Sequence, residues 1–242
     1  MAGNVFVNGE LHDKPGKQVA RDAEISLKDD EEPYVSRGGR KLEHAIATFE
    51  LDVCGKKALD IGASTGGFVD CFLQKGAEEI WAVDVGKGQL DWKLRNDSRV
   101  HVLENTNARY LKMDEIGARV DLISIDVSFI SLELILPNAE KILYDSGKII
   151  ALVKPQFEAG RDLVERGGVV TDPAVHADVL LKISKFASSL GLRATAATYS
   201  PIRGKASKNI EYFFLLRKQG ISIDDNCIEH LVEIAHSSTF QS

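Results

Sequence analysis

Lys57-Ala58-Leu59-Asp60-Ile61-Gly62-Ala63-Ser64-Thr65-Gly66-Gly67-Phe68 decides the architecture. A short apolar run carrying one acid ends in a glycine-rich turn. Phe68, Val69, Phe72 and Leu73 then recur at helical spacing. Strand, tight turn and helix in that order let backbone approach a ligand closely and offer it the free N–H groups of a helix start. A turn of this kind receives a nucleotide-like cofactor.

Outward from that turn, apolar runs at 58–61, 80–85, 100–103, 121–126, 148–153, 193–199 and 210–217 read as seven strands. Helical patterns at 66–75, 88–95, 132–143 and 173–190 alternate with them, and a last one lies at 228–235. The expectation is an α/β, Rossmann-like fold: a mostly parallel seven-stranded sheet with helices on both faces. Ahead of it, Val5-Phe6-Val7, the Asn8-Gly9 turn and the Lys14-Pro15-Gly16 turn suggest a small β-rich piece. The charged stretch Asp29-Asp30-Glu31-Glu32-Pro33 marks a boundary, giving domains 1–32 and 33–242.

Bulk properties narrow the class. The 242 residues carry a formal net charge of −6, but local charge rather than the total decides nucleic-acid contact. Cys54, Cys71 and Cys227 form no C-x-x-C pair, and the histidines show no metal spacing, so no metal is expected. No apolar run is long enough to span a bilayer, and a cytoplasmic protein without membrane contact is expected.

In an open parallel sheet, ligands bind outside the carboxyl ends of the strands. Asp60, Asp84 and Asp126 fall at three such ends, and Lys154 follows a fourth. Glu211 opens the last strand and joins the same edge if that strand is antiparallel; a solvent-facing Glu on an edge strand is the alternative. The loop Gly62-Ala63-Ser64-Thr65-Gly66-Gly67 lacks the second glycine of a dinucleotide fingerprint. Asp60 before it would repel a pyrophosphate and suits a cationic amino-acid tail. S-adenosylmethionine is therefore favoured over NAD. Gly62, Ala63, Ser64, Gly66, Gly67 and Phe68 would form its seat, and Asp84 would take its ribose hydroxyls. Asn105 or Asn107 would meet the adenine edge, with plain turn stabilisation as the alternative.

Two basic loops flank this edge: Arg37, Arg40 and Lys41 on one, Arg203, Lys205 and Lys208 on the other. They are suited to RNA phosphates, or to solvated surface. Tyr34 and Phe157 could stack on a base, or pack internally.

The strings "SRGGRKL", "LDIGASTGGF", "AVDVG", "DVSFISL", "LVKPQFE" and "SPIRGKASKNIEYF" together resemble the TlyA (haemolysin A) family of FtsJ-like RNA methyltransferases, from about Tyr34 to Arg217. The "VNG…KPG" succession before them resembles the closing half of an S-four-like RNA-binding module, whose helical first half is not seen. The resemblance implies methylation of a ribose 2′-hydroxyl, of cytidine, in ribosomal RNA or ribosomal subunits. It also implies a catalytic tetrad at Lys41, Asp126, Lys154 and Glu211, with Lys154 acting on the hydroxyl and the acids orienting lysine or ribose. The rival readings are an RNA-binding protein with lost catalysis, a small-molecule methyltransferase and a membrane-active haemolysin.

Overall fold

The computed structural model describes residues 5–8, 10–11, 18–20, 23–27, 32–203 and 209–238. The chain forms two compact units, Met1–Pro33 and Tyr34–Ser242.

In the first unit, β1 (Val5–Val7) pairs antiparallel with both β2 (Glu10–Leu11) and β3 (Ile25–Leu27). Asn8 leaves β1 with φ +50°, a conformation that asparagine tolerates better than most residues. Its N–H donates to the Glu24 carbonyl at 2.8 Å and its side-chain oxygen accepts from Glu24 N–H at 2.9 Å. The expected turn at 14–16 and the linker acids at 29–31 lie outside the described residues.

The second unit opens with α1 (Gly38–Thr48), β4 (Lys57–Ile61), α2 (Gly67–Gln74), β5 (Glu79–Val83), α3 (Trp92–Arg95) and β6 (Val100–Leu103). It continues through α4 (Met113–Ile116), β7 (Val120–Ile125), α5 (Leu136–Ile142), β8 (Leu143–Val153) and α6 (Pro155–Glu158). It closes with α7 (Pro173–Ser189), β9 (Arg193–Tyr199), β10 (Tyr212–Arg217) and α8 (Asp225–Ser237). The sheet order is β6-β5-β4-β7-β8-β10-β9. Strands β4 to β8 run parallel to one another, and β10 runs antiparallel to both β8 and β9. The chain winds outward from β4 to one side through β5 and β6, then returns to the other side through β7. The reversal leaves a crevice between the ends of β4 and β7.

Strand residues alternate between two cores. Leu59, Ile61, Ile123, Tyr212 and Phe214 face the layer that includes Leu136, Leu180 and Ile228. Ala58, Leu122, Ile150, Phe213 and Leu215 face the layer that includes Leu42, Phe68, Phe72 and Leu94. Burying a side chain such as Phe213 completely stabilises the fold by roughly 1.5–3 kcal/mol.

Three sequence expectations need correction. The basic stretch 36–41 is not a loop: α1 begins at Gly38, so Arg40 and Lys41 are helical. The glycines there serve close approach. A methyl group at Gly67 would stand 2.9 Å from Gly39 N and 3.2 Å from Gly38 Cα, so α1 and α2 meet backbone to backbone. The helix expected at 88–95 contracts to α3, because Gly88 takes φ +67° and Asp91 caps the helix by accepting from Lys93 N–H. The helix expected at 132–143 is a 3-10 turn, Leu132–Leu134, followed by α5 with its proline in the first turn, where the missing N–H costs nothing.

Candidate active site

At the crevice a cavity of about 550 Å³ opens, lined by residues including Gly62, Ser64, Asp84, Asn107, Asp126 and Phe129. Its shape depends on Gly62. A methyl there would lie 2.2 Å from the Asp126 carbonyl oxygen, and Gly62 holds φ +92°. Asp84 shapes the floor: its two carboxylate oxygens accept from Ser64 N–H at 2.8 Å and Gly86 N–H at 2.7 Å. Both oxygens retain acceptor capacity for hydroxyls.

Asp60 lies below this floor, 1% exposed. One carboxylate oxygen accepts from Ser124 O–H at 2.7 Å, and the other is buried with no hydrogen-bond partner. Burial pushes the carboxyl up to about 7; the Ser124 bond opposes this, while Asp126 and Asp84 add to it. An unpaired buried carboxylate oxygen is costly. Asp60 and Asp84, at the ends of adjacent strands and without a cationic partner of their own among the described ion pairs, suit a ligand that brings positive charge. The sulfonium and ammonium of S-adenosylmethionine fit this donor set, and a pyrophosphate does not. Asp60 would face the charged tail, Asp84 the ribose, and the cavity wall at Asn107 the base.

Next to the cavity stand two ion pairs. Lys154 Nζ lies 2.6 Å from Asp126 Oδ1 and donates to Ser128 Oγ at 3.2 Å. Lys41 Nζ lies 2.5 Å from Glu211 Oε2. Pro155 ends β8 at Lys154, which is itself 8% exposed. The β8–β10 register pairs Val153 with Tyr212, so Lys154 and Glu211 come opposite each other one residue further on. The alternative of a solvent-facing Glu211 is excluded, since Glu211 is 3% exposed. Reversal of β10 is what brings a residue from a strand start to the edge formed by strand ends.

Phe129 also belongs to this edge, and the sequence reading passes over it. Its ring is 89% exposed and lines the cavity. Its backbone takes φ +62°, a genuine outlier for a bulky residue. The ring packs against Phe157 with centroids 4.9 Å apart, and Lys154 Nζ sits 5.7 Å over the Phe157 ring. The available signal was its place in the loop just after Asp126, which follows the end of β7.

Other expected site residues fall elsewhere. Phe68 is 4% exposed and packs in the core, 6.4 Å from the Phe213 ring. Gly67 closes the α1–α2 contact, and Gly66 abuts Leu90 and Leu94. Ala63 is buried, and Asn105 turns the chain at φ +53°; neither lines the cavity. Tyr34 is buried against Gly39 and unavailable for stacking. Arg37 precedes α1 and Arg40 lies within it, both half-buried, as is Arg203. Lys205 and Lys208 lie outside the described residues.

A doubly wound sheet with a reversed strand, and an edge that brings Lys41, Asp126, Lys154 and Glu211 together, is the architecture of a methyltransferase of the Rossmann-like class. The chain belongs to the FtsJ-like methyltransferase family, which matches residues 34–218. It is 45% identical to the 16S/23S rRNA (cytidine-2′-O)-methyltransferase TlyA of Mycobacterium tuberculosis, over 90% of this chain and 81% of that protein. It is 40% identical to Hemolysin A of Brachyspira hyodysenteriae, over 88% of each. A solved structure from Streptococcus thermophilus, named for hemolysin, superposes with a TM-score of 0.83 at 46% identity, covering 98% of this chain and 87% of that one. Among the described residues, no helix is long and apolar enough to cross a membrane.

Proposed function

We propose that this protein transfers a methyl group from S-adenosylmethionine to a ribose 2′-hydroxyl of ribosomal RNA, on cytidine, in the cytoplasm. The observation that carries the reading is the convergence of Lys154–Asp126 and Lys41–Glu211 beside a cavity lined by Asp84 and Asp126. The likeness to rRNA (cytidine-2′-O)-methyltransferases supports the choice of substrate.

Bound at the crevice, the cofactor supplies an electrophilic methyl carbon on a sulfonium. The protein's task is to present the hydroxyl oxygen in line with it and manage one proton, and positioning alone is worth several kcal/mol. Lys154 holds the acceptor oxygen. As an amine it takes the hydroxyl proton; as an ammonium it donates a hydrogen bond to the oxygen as negative charge develops there, and the hydroxyl proton leaves to solvent. Asp126 fixes the lysine head, and Ser128 gives it a second anchor. Glu211 holds Lys41 at the ribose side. Phe129 offers an exposed ring face on which an extruded base can stack. Arg37, Arg40, Arg203, Lys205 and Lys208 would take phosphates, and the Met1–Pro33 unit would act as a partial S-four-like RNA-binding module.

The test is transfer of tritiated methyl from labelled cofactor to unmodified ribosomal subunits, followed by mapping of the modified nucleotide. We expect a 2′-O-methylcytidine product. Lys154→Ala should lower the rate by about 10³-fold or more, with donor affinity within about threefold of wild type. Transfer at near wild-type rate by that variant removes Lys154 from the chemistry.

A further inference from the structure

The segment after β7 and the segment after β8 are fastened together at successive points. Lys154 binds Asp126 and Ser128, and Phe157 packs on Phe129. Glu158 makes the last fastening. One of its carboxylate oxygens accepts from Ser131 O–H at 2.6 Å, and the other accepts from Leu132 N–H at 2.8 Å. Glu158 does not line the cavity and is 7% exposed. Burial pushes its carboxyl up, against the two hydrogen bonds. A buried carboxylate is a costly way to fill space. What this one provides is direction: it grips a side chain and a backbone N–H three residues or fewer beyond Phe129.

That grip matters because the gripped loop is strained. A phenylalanine at φ +62° holds a backbone conformation that bulky side chains rarely adopt, and the loop would leave it by relaxing. Relaxation would carry the Phe129 ring off Phe157 and Ser128 off Lys154. We propose that Glu158 is a positioning residue that holds Ser128 against Lys154 and Phe129 against Phe157, so that the Asp126–Leu132 and Lys154–Glu158 segments act as one piece. Its effect on catalysis rests on the function proposed above; the fastening itself does not.

Two readouts keep these apart. In a Phe129→Trp background from which the native indoles are removed (Trp81→Phe, Trp92→Phe), the added indole reports loop order through its fluorescence anisotropy, with no substrate present. Glu158→Ala should lower that anisotropy, and the near-isosteric Glu158→Gln should restore it. With unmodified ribosomal subunits and Phe129 intact, Glu158→Ala should lower the single-turnover rate by about 10- to 100-fold. The cofactor dissociation constant should stay within about threefold, and Glu158→Gln should recover most of the rate. Losses from Glu158→Ala and Phe129→Ala should combine to less than their product, because both act through one ring. Unchanged anisotropy, wild-type rate in Glu158→Ala, or strictly multiplicative losses overturn the proposal. A wild type that methylates no ribosomal RNA, alongside reduced anisotropy in Glu158→Ala, refutes the functional reading and supports the fastening. Ser131→Ala, which removes one bond and keeps the carboxylate, makes the same comparisons if Glu158→Ala does not fold.

Discussion

Lys41 Nζ and Glu211 Oε2 stand 2.5 Å apart although 170 residues separate them in sequence. Their side chains are only 13% and 4% exposed. The pair closes the last helix-to-strand contact of the site, joining α1 to the start of β10.

Such a pair is asymmetric in its energetics. Removing the lysine leaves a carboxylate buried without its cation, which costs about 3–5 kcal/mol, whereas removing both charges is far cheaper. Urea unfolding of Lys41→Met should therefore show a loss of about 3 kcal/mol or more. Lys41→Met combined with Glu211→Leu should regain most of that stability while remaining inactive in methyl transfer. Single substitutions that each cost under about 1 kcal/mol would show that the pair is solvated in solution.

Asp60 gives a pH signature. Its carboxyl is pushed from 3.8 up to about 7, chiefly by burial. Between those values the folded protein keeps a proton that the unfolded chain has released. The stability owed to this group is full below 3.8 and is lost as pH rises through about 7. Asp60→Asn abolishes that loss. Thermal unfolding of the cofactor-free variant should gain on wild type as pH is raised from about 5 to about 8. A difference that does not vary with pH would sink the assignment. Donor binding should run the other way: calorimetry should show wild-type affinity rising over the same range and the variant weak and flat, because only the ionised carboxylate attracts the cationic tail.

Two glycines with similar backbones separate strain from space. Gly62 and Gly88 hold φ +92° and +67°. A methyl at Gly88 meets nothing within 4 Å, but at Gly62 it meets the Asp126 carbonyl at 2.2 Å. Gly88→Ala should cost only about 1–2 kcal/mol of backbone strain and leave donor affinity unchanged. Gly62→Ala should cost above about 3 kcal/mol and weaken donor binding by about 100-fold or more, because it displaces Asp126. Denaturant midpoints and calorimetry on both variants make the comparison; equal effects would show that close approach at Gly62 is unimportant.

The parts of this site that break a pattern are legible in the sequence. Asp60, Asp84, Asp126 and Lys154 interrupt or end apolar runs, and strand ends in a parallel sheet share an edge, so their convergence follows from alternation alone. Glu211 required knowing that β10 is reversed, which an apolar run does not reveal. Lys41 sits on a helix face among other charges; its basic stretch made it visible, and only the resemblance of "SRGGRKL" gave it a catalytic role. Phe129 and Glu158 were easily passed over for a different reason. A phenylalanine in an apolar stretch reads as core, and its exposure comes from one backbone torsion. A glutamate in a short helix reads as surface, and its burial comes from a loop 26 residues earlier in the chain. Gly38-Gly39 misled because glycine weakens isolated helices, and the close packing on Gly67 that offsets the cost is tertiary.

Strand β10 lies between β8 and β9 although it is made after both. During synthesis the open edge of β8 therefore waits, with its N–H and C=O groups unpaired, until residues near 212–217 leave the ribosome. With the site as proposed, the donor crevice is complete by β8, whereas the acceptor side waits for Glu211. A nascent chain would then acquire the means to hold its methyl donor before the means to use it, with the inserted strand as the final fastener that commits the enzyme to work.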